Sequence, residues 1–228
     1  MMKRVLRIIA VSAAGLIALC SCATNRYIAQ DIGDKLHDIA VITPFAYINY
    51  IDETGVNAYD DSLSLMCSRL FTLGLLNSSL PTGPKITIDF DNDYPEFRDA
   101  VASLKDIDPR YAGEIPIPPI LDSLLEANGL QYGVVVFANG FSRSRKNYVE
   151  AMATGLGIGI LTTVISMGAV TTYIVPYKGM LNTWIGIIDA ENDCFVYFNR
   201  RFEKDAEPDK PLYVYNQINR LLDHLELP

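Results

Sequence analysis

Apolar residues in this chain switch repeatedly between a strand period and a helix period, and that alternation constrains the fold more than any other feature. Asp38–Phe45 is a compact apolar run of the kind a central strand shows. Tyr59, Leu63, Met66, Leu70 and Leu73 then recur at spacings of 4, 3, 4 and 3, one face of a helix. Asp60 and Asp61 sit in its first turn, where the helix dipole favours them. Ile86, Ile88 and Phe90 alternate with Thr87 and Asp89 as a half-buried strand does. Phe97, Val101 and Leu104 mark a short helix, followed by a turn-rich bridge over Asp108–Pro119. Ile120, Leu121, Leu124 and Leu125 mark another helix, stopped by Asn128-Gly129. Gln131–Ala138 is the clearest strand. Trp184–Asp189 and Cys194–Phe198 form a hairpin around a four-residue turn. Tyr215, Ile218, Leu222 and Leu225 share the face of a closing helix. This order predicts an α/β (α+β layered) fold: a single mixed sheet of about five strands with helices packed on it. No repeat of fixed period appears, which excludes solenoids and propellers.

The first residues read as an address. Lys3, Arg4 and Arg7 precede an uncharged apolar run from Ile8 to Leu19, too short for the roughly 20 residues of a spanning helix. That layout is a secretory signal. Leu19-Cys20-Ser21-Cys22 resembles the lipobox of bacterial lipoproteins, in which a small residue precedes a cysteine that is diacylated and becomes the new N-terminus. Cys22 fits, with Ser21 before it and Leu19 three back; Cys20 fits worse, because bulky Leu19 stands directly before it. The plain alternative is two unmodified thiols beside an ordinary cleavage site. Acyl chains anchor firmly, since each buried methylene adds about 0.8 kcal/mol. Residues 23–26 lack the acidic cluster typical of surface-exported Bacteroidetes lipoproteins, so the expected location is the periplasmic face of the outer membrane. The expected organisation is a signal peptide over 1–21, a polar tether over 22–37 and a single domain over 38–228.

Half the residues are hydrophobic and 20% are charged, a composition suited to a real core and unlike that of a disordered chain. Nineteen Lys and Arg against 27 Asp and Glu give a net charge of −8, which argues against a nucleic-acid partner held by a broad basic face. Losing the signal removes three cations and no acid, so the mature chain is more acidic still. It also leaves Cys67 and Cys194 as the cysteines besides Cys22. In an oxidising periplasm they could form one disulfide, or remain two separately buried thiols. No Cys or His spacing suggests a metal site, and no cofactor is implied.

Ile39-Ala-Val-Ile-Thr-Pro-Phe45, the helix over Ser62–Leu76, the run from Leu124 to Val136 and the hairpin from Ile185 to Phe198 together resemble a family of envelope lipoproteins. These are the proteins related to the amino-terminal domain of TolB and to the curli-secretion lipoprotein. Its members share an I-A-V-x-x-F first strand, a G-x-Y-x-V-x-G later strand and a hairpin turn opening on Asp. The likeness covers roughly Asp38 to Leu225, and it implies a scaffold or partner-binding domain without fixed catalytic residues. No functional residue carries over. The chain departs from that family in a long apolar insertion, and in this it also looks like uncharacterised Bacteroidetes lipoproteins, a likeness that adds no function.

That insertion, 151–177, is Gly/Thr-rich and uncharged. On a helix, Gly155, Gly159, Thr162, Ser166, Ala169 and Tyr173 share a face of mostly small side chains, and Gly155 to Gly159 is a GxxxG. Three readings compete: a segment tucked onto the domain's own sheet, a surface contacting lipid or a sister protomer, and a transmembrane span. A phosphate loop is a poor reading, because no Lys-Ser/Thr follows the glycines. Arg143, Arg145 and Lys146 follow one strand and Arg200, Arg201 and Lys204 another. If those strands are neighbours and their ends coincide, six cations meet at one edge, suited to anionic headgroups or an acidic partner; the alternative is two ordinary solvated strand ends.

Catalytic constellations are sparse. The two histidines, His37 and His224, lie far apart in sequence, and no G-x-S-x-G or H-E-x-x-H occurs. Asp89–Asp93 fails as an EF-hand loop, since Tyr94 and Ala100 stand where Gly and Glu are needed. The resulting expectation is a lipid-anchored, non-enzymatic accessory subunit of an outer-membrane-associated assembly, touching the membrane through Cys22 and an envelope protein or a second copy of itself. The alternatives are an envelope glycan hydrolase using paired carboxylates and a pore-forming oligomer.

Overall fold

The computed structural model describes residues 26–30, 32–88, 95–165 and 175–225, with 158–165 by backbone alone. Its strands are β1 (Arg26–Ile28), β2 (Ile39–Ile42), β3 (Phe45–Ile51), β4 (Asn57–Tyr59), β5 (Thr82–Ile86), β6 (Tyr132–Arg143), β7 (Gly179–Asp189) and β8 (Cys194–Lys204). The helices are α1 (Asp61–Leu76), α2 (Pro95–Ala102), α3 (Pro119–Ala127), α4 (Arg145–Ile165) and α5 (Pro211–Leu222). All eight strands join one mixed sheet in the order β1-β8-β7-β6-β2-β5, while β3 pairs with β6 and carries β4 on its outer edge.

The architecture is therefore mixed α/β, with eight strands where the sequence predicts about five. β1 and β4 are three residues each, too short to display a period. β3 is separated from β2 by Thr43 and Pro44, and both strands run parallel to β6, one after the other. β5 begins four residues earlier than the expected strand and includes Gly83 and Pro84. A proline without an N–H is tolerated there because β5 is the last strand of the sheet path. Phe90 and the acidic run Asp89–Asp93 lie outside the described residues. The expected tether is also corrected: Arg26–Ile28 pairs antiparallel with β8, and Ile32 and Leu36 are buried, so the fold begins well before Asp38.

β6 explains why Gln131–Ala138 reads as one unbroken apolar run. Val134, Val136 and Ala138 face one side and Val135 and Phe137 the other, and both sides are buried. The first side is covered by α1 and α5, the second by α2, α3 and the 3₁₀ turns Ser103–Asp106 and Pro109–Glu114. α1 is capped by the Asp60 carboxylate, which accepts from the Leu63 N–H at 2.9 Å. Its buried face is not the expected Met66–Leu70–Leu73 row but Cys67, Phe71 and Leu75, with Ser64, Ser68 and Thr72 beside them. Hydroxyls settle that rotation: Ser64 Oγ accepts from the Ile48 N–H at 2.9 Å, and the Ser68 hydroxyl donates to the Pro44 carbonyl. Met66 and Leu73 are left half exposed.

α3 ends where expected, with Gly129 at φ +65°, a conformation that favours glycine. The hairpin turns over Ala190–Asp193, with Asp189 opposite Cys194. α5 docks on β7 and β8 through buried polar groups as well as Val214, Ile218 and Leu221. The Gln217 side chain donates to the Leu181 carbonyl at 2.7 Å and accepts from Thr183, and Tyr197 donates to the Leu221 carbonyl. No helix among the described residues is long and apolar enough to cross a membrane.

Candidate binding face

Strand register sets side chains of the second sheet face in rows. Phe45, Phe137, Trp184 and Arg200 form one row; Tyr47, Asn139, Asn182 and Phe202 form the next. Tyr59, Asn49, Phe141, Met180 and Lys204 form a third. The first row lies at the margin of the cover provided by α2, α3 and the 3₁₀ turns, with Phe137 and Trp184 in the core. The second and third lie beyond it: Tyr47 is 47% exposed and Phe202 57%. Aromatic contacts run across these rows, Phe45 on Phe137 at 5.8 Å, Phe137 on Trp184 at 5.4 Å and Trp184 on Phe202 at 5.3 Å. Tyr47 and Tyr59 stack at 4.8 Å, close to the offset geometry that aromatic pairs prefer.

A cleft of ≈ 410 Å³ opens where the sheet leaves the cover of α2. Tyr47, Tyr59, Phe137 and Asn139 form one wall, and Arg98, Asp99 and Lys105 the other. That volume is in the range of small-molecule sites. Asn182 Nδ2 donates to Asn139 Oδ1 at 2.9 Å, which uses one donor and one acceptor of the carboxamide pair. Buried side-chain atoms without a hydrogen-bond partner among the described residues also gather on this face: Asn49 Oδ1, Arg143 Nε, Trp184 Nε1 and Arg200 Nε.

The carboxylates with displaced pKa values are lowered. A hydrogen bond from Arg110 holds Asp108 at about 2, and the Thr54 hydroxyl lowers Asp52. Cys67 and Cys194 are both free thiols, not a disulfide. Cys67 lies inside the α1 core and Cys194 at the tip of the β7–β8 hairpin, and burial raises the pKa of each, so neither is an activated thiolate. Among the described residues, no group of three His, Cys, Asp or Glu is placed to hold a metal. His37 and His224 are both exposed.

The six cations that could have met at one edge do not form one cluster. β7 lies between β6 and β8, and alternation sends Arg200 and Lys204 to one face and Arg201 to the other. Arg201 pairs with Glu203 at 2.9 Å, Lys146 with Glu53 at 3.4 Å, and Arg143 donates to Asn147 at 2.8 Å. Arg145 is exposed at the start of α4. Residues 151–165 of the apolar stretch are helical, in α4, which holds Gly155, Gly159 and Thr162; Ser166 and Cys22 lie outside the described residues. Tyr47, Asn139, Asn182 and Phe202 were not legible as a site, although Asn139, Phe141 and Arg143 do continue the strand period past Ala138 with polar and aromatic residues.

No family model matches the chain, and no curated protein does. Solved structures similar to it include the PelC dodecamer from Paraburkholderia phytofirmans and a point variant of that dodecamer. Each is 7% identical with a TM-score of 0.43, covering 89% of this chain and 96% and 97% of theirs. At that score the likeness carries no argument about role or assembly.

Proposed function

We propose that this protein is a lipid-anchored envelope lipoprotein, held at the periplasmic face of the outer membrane through Cys22, and that it acts by binding, as an accessory subunit of an outer-membrane-associated assembly. The observation that carries the binding role is the end of the sheet's second face that no described helix or turn covers, where Tyr47 and Phe202 stand exposed while the first row lies at the margin of helices and turns. An aromatic surface of this kind is rarely left to water without a partner. α4 supplies a second contact: Val149 and Leu156 are exposed, and Arg145 and Lys146 at its start suit anionic headgroups or an acidic partner. The partner is an envelope protein or a second copy of this chain.

Fractionation tests the anchor. The wild-type chain sediments with membranes and the Cys22→Ala chain is soluble; equal distribution of the two contradicts the reading. Crosslinking tests the role: a chain that is monomeric in mild detergent and captures no neighbour in the envelope is not an accessory subunit.

A further inference from the structure

We propose that the cleft and the open rows beside it bind an acidic oligosaccharide, which deepens the binding role above and rests on it. The chemistry of the side chains selects that ligand. A pyranose ring has one face of polarised C–H bonds, which pack on the negative face of an aromatic ring, and a periphery of hydroxyls that both donate and accept. Tyr47 offers an exposed ring at the cleft wall, stacked on Tyr59, and Phe202 offers another further along the same face. Between Tyr47 and Phe202 in the register stand Asn139 and Asn182, whose carboxamides supply donors and acceptors in pairs, as vicinal hydroxyls require.

The spacing suits a chain of sugars. Tyr47, Asn139, Asn182 and Phe202 lie on four adjacent strands, so the two rings are three strand spacings apart, on the order of 14 Å. An extended oligosaccharide laid across the strands therefore reaches both. Charge gives the acidic preference. On a chain of net charge −8, the far wall of the cleft presents, among the described residues, Arg98 and Lys105 against Asp99, and Arg98 is the partner of that carboxylate at 3.3 Å. Lys105, which has no carboxylate partner among the described residues, meets a carboxylate on the ligand. A single-stranded nucleic acid also stacks on rings, but it needs a cationic track along its backbone. Here the middle of the row is carboxamide.

Trp184, the sole tryptophan, touches Phe202 and Phe137 and reports occupancy without a label. The full chain in detergent micelles is titrated with oligogalacturonate, with the neutral cello-oligosaccharide of equal length and with oligodeoxythymidine, and Trp184 emission is followed. Oligogalacturonate is expected to give a saturable change, the neutral sugar a weaker one and the oligonucleotide none. Tyr47→Ala and Asn139→Ala weaken oligogalacturonate binding about tenfold each, while Tyr47→Phe, which keeps the ring and the fold, binds as wild type. Lys105→Ala brings the affinity for the acidic sugar down to that for the neutral one. The proposal is overturned by the absence of a saturable response to oligogalacturonate, by equal or tighter binding of the neutral sugar or the oligonucleotide, or by unchanged affinity in the folded Tyr47→Ala chain. Fractionation of the Cys22→Ala chain and envelope crosslinking do not depend on these sugars, so failure here leaves the anchored binding role to its own tests.

Discussion

Asn182 donates from Nδ2 to Asn139 Oδ1 at 2.9 Å, across a pair of residues directly opposite each other on β7 and β6. This bond joins two polar side chains midway between exposed Tyr47 and Phe202, on a face whose neighbouring rows are largely aromatic. It holds the carboxamides in fixed orientation, with unused donors and acceptors on both.

A double-mutant cycle reads the strength of that bond. Asn139→Ala and Asn182→Ala are each expected to lower stability by about 1 kcal/mol, since each leaves a half-buried partner unmatched. The double variant loses less than the sum of the two, because both partners are then gone. Urea unfolding followed by circular dichroism measures all three; strict additivity contradicts the coupling.

Gln217 ties α5 to the sheet from a fully buried position, bonded to the Leu181 carbonyl and to Thr183. Gln217→Ala removes both bonds and opens a cavity, for an expected loss of about 2–4 kcal/mol. Lys85→Ala, exposed on the edge strand β5, serves as the control and changes stability by less than about 0.5 kcal/mol.

The two free thiols differ in access. Mass spectrometric mapping after alkylation of the native chain at pH 8 should find Cys194 modified and Cys67 intact, with Cys67 reacting only after denaturation, because it is buried and its thiol is held protonated. Reductant should leave the unfolding midpoint unchanged. A drop in midpoint would reveal a bridge and contradict the free-thiol assignment.

Stability should fall at both extremes of pH for identifiable reasons. Burial raises the Tyr197 hydroxyl from 10.0 to about 12. Its contribution is therefore fully present below pH 10 and is lost as pH climbs from there towards 12. Tyr197→Phe abolishes this part of the alkaline loss, at the cost of the bond to the Leu221 carbonyl. In acid, the hydrogen bond from Arg110 lowers Asp108 from 3.8 to about 2, so its contribution is present above pH 3.8 and fades as pH falls towards 2. Asp108→Asn removes that part of the acid profile, and the effect is small because the pair is exposed. Unfolding midpoints recorded against pH for each variant and the wild type check both.

Long apolar segments made the centre of the fold legible in the sequence. β6 is buried on both faces as far as Ala138 and the β7–β8 hairpin is long, so both stand out as apolar runs around a clear turn. Short elements did not: β1 and β4 borrow their stability from neighbours, and β1 lies in a segment whose polar composition reads as a tether. α1 was placed correctly but rotated wrongly, because it is apolar on several sides and the deciding groups are the hydroxyls of Ser64 and Ser68. The binding face was illegible for a different reason. Asn139 and Asn182 are 43 residues apart, and only the register of β6 against β7 brings them together. The six-cation edge failed on the same point, since the strands concerned flank β7 and alternate their side chains between two faces.

The central claim is that the end of the sheet's second face that no described helix or turn covers is the working surface of an envelope-anchored binding protein. A photo-crosslinking amino acid placed in intact cells at Tyr47, at Phe202 and, as a control, at Leu212 tests it most directly, because Leu212 is more exposed than either but belongs to α5 on the other side of the sheet. Adducts of increased mass from positions 47 and 202, with none from 212, are the expected result. Adducts from all three positions alike, or from 212 alone, would contradict the claim.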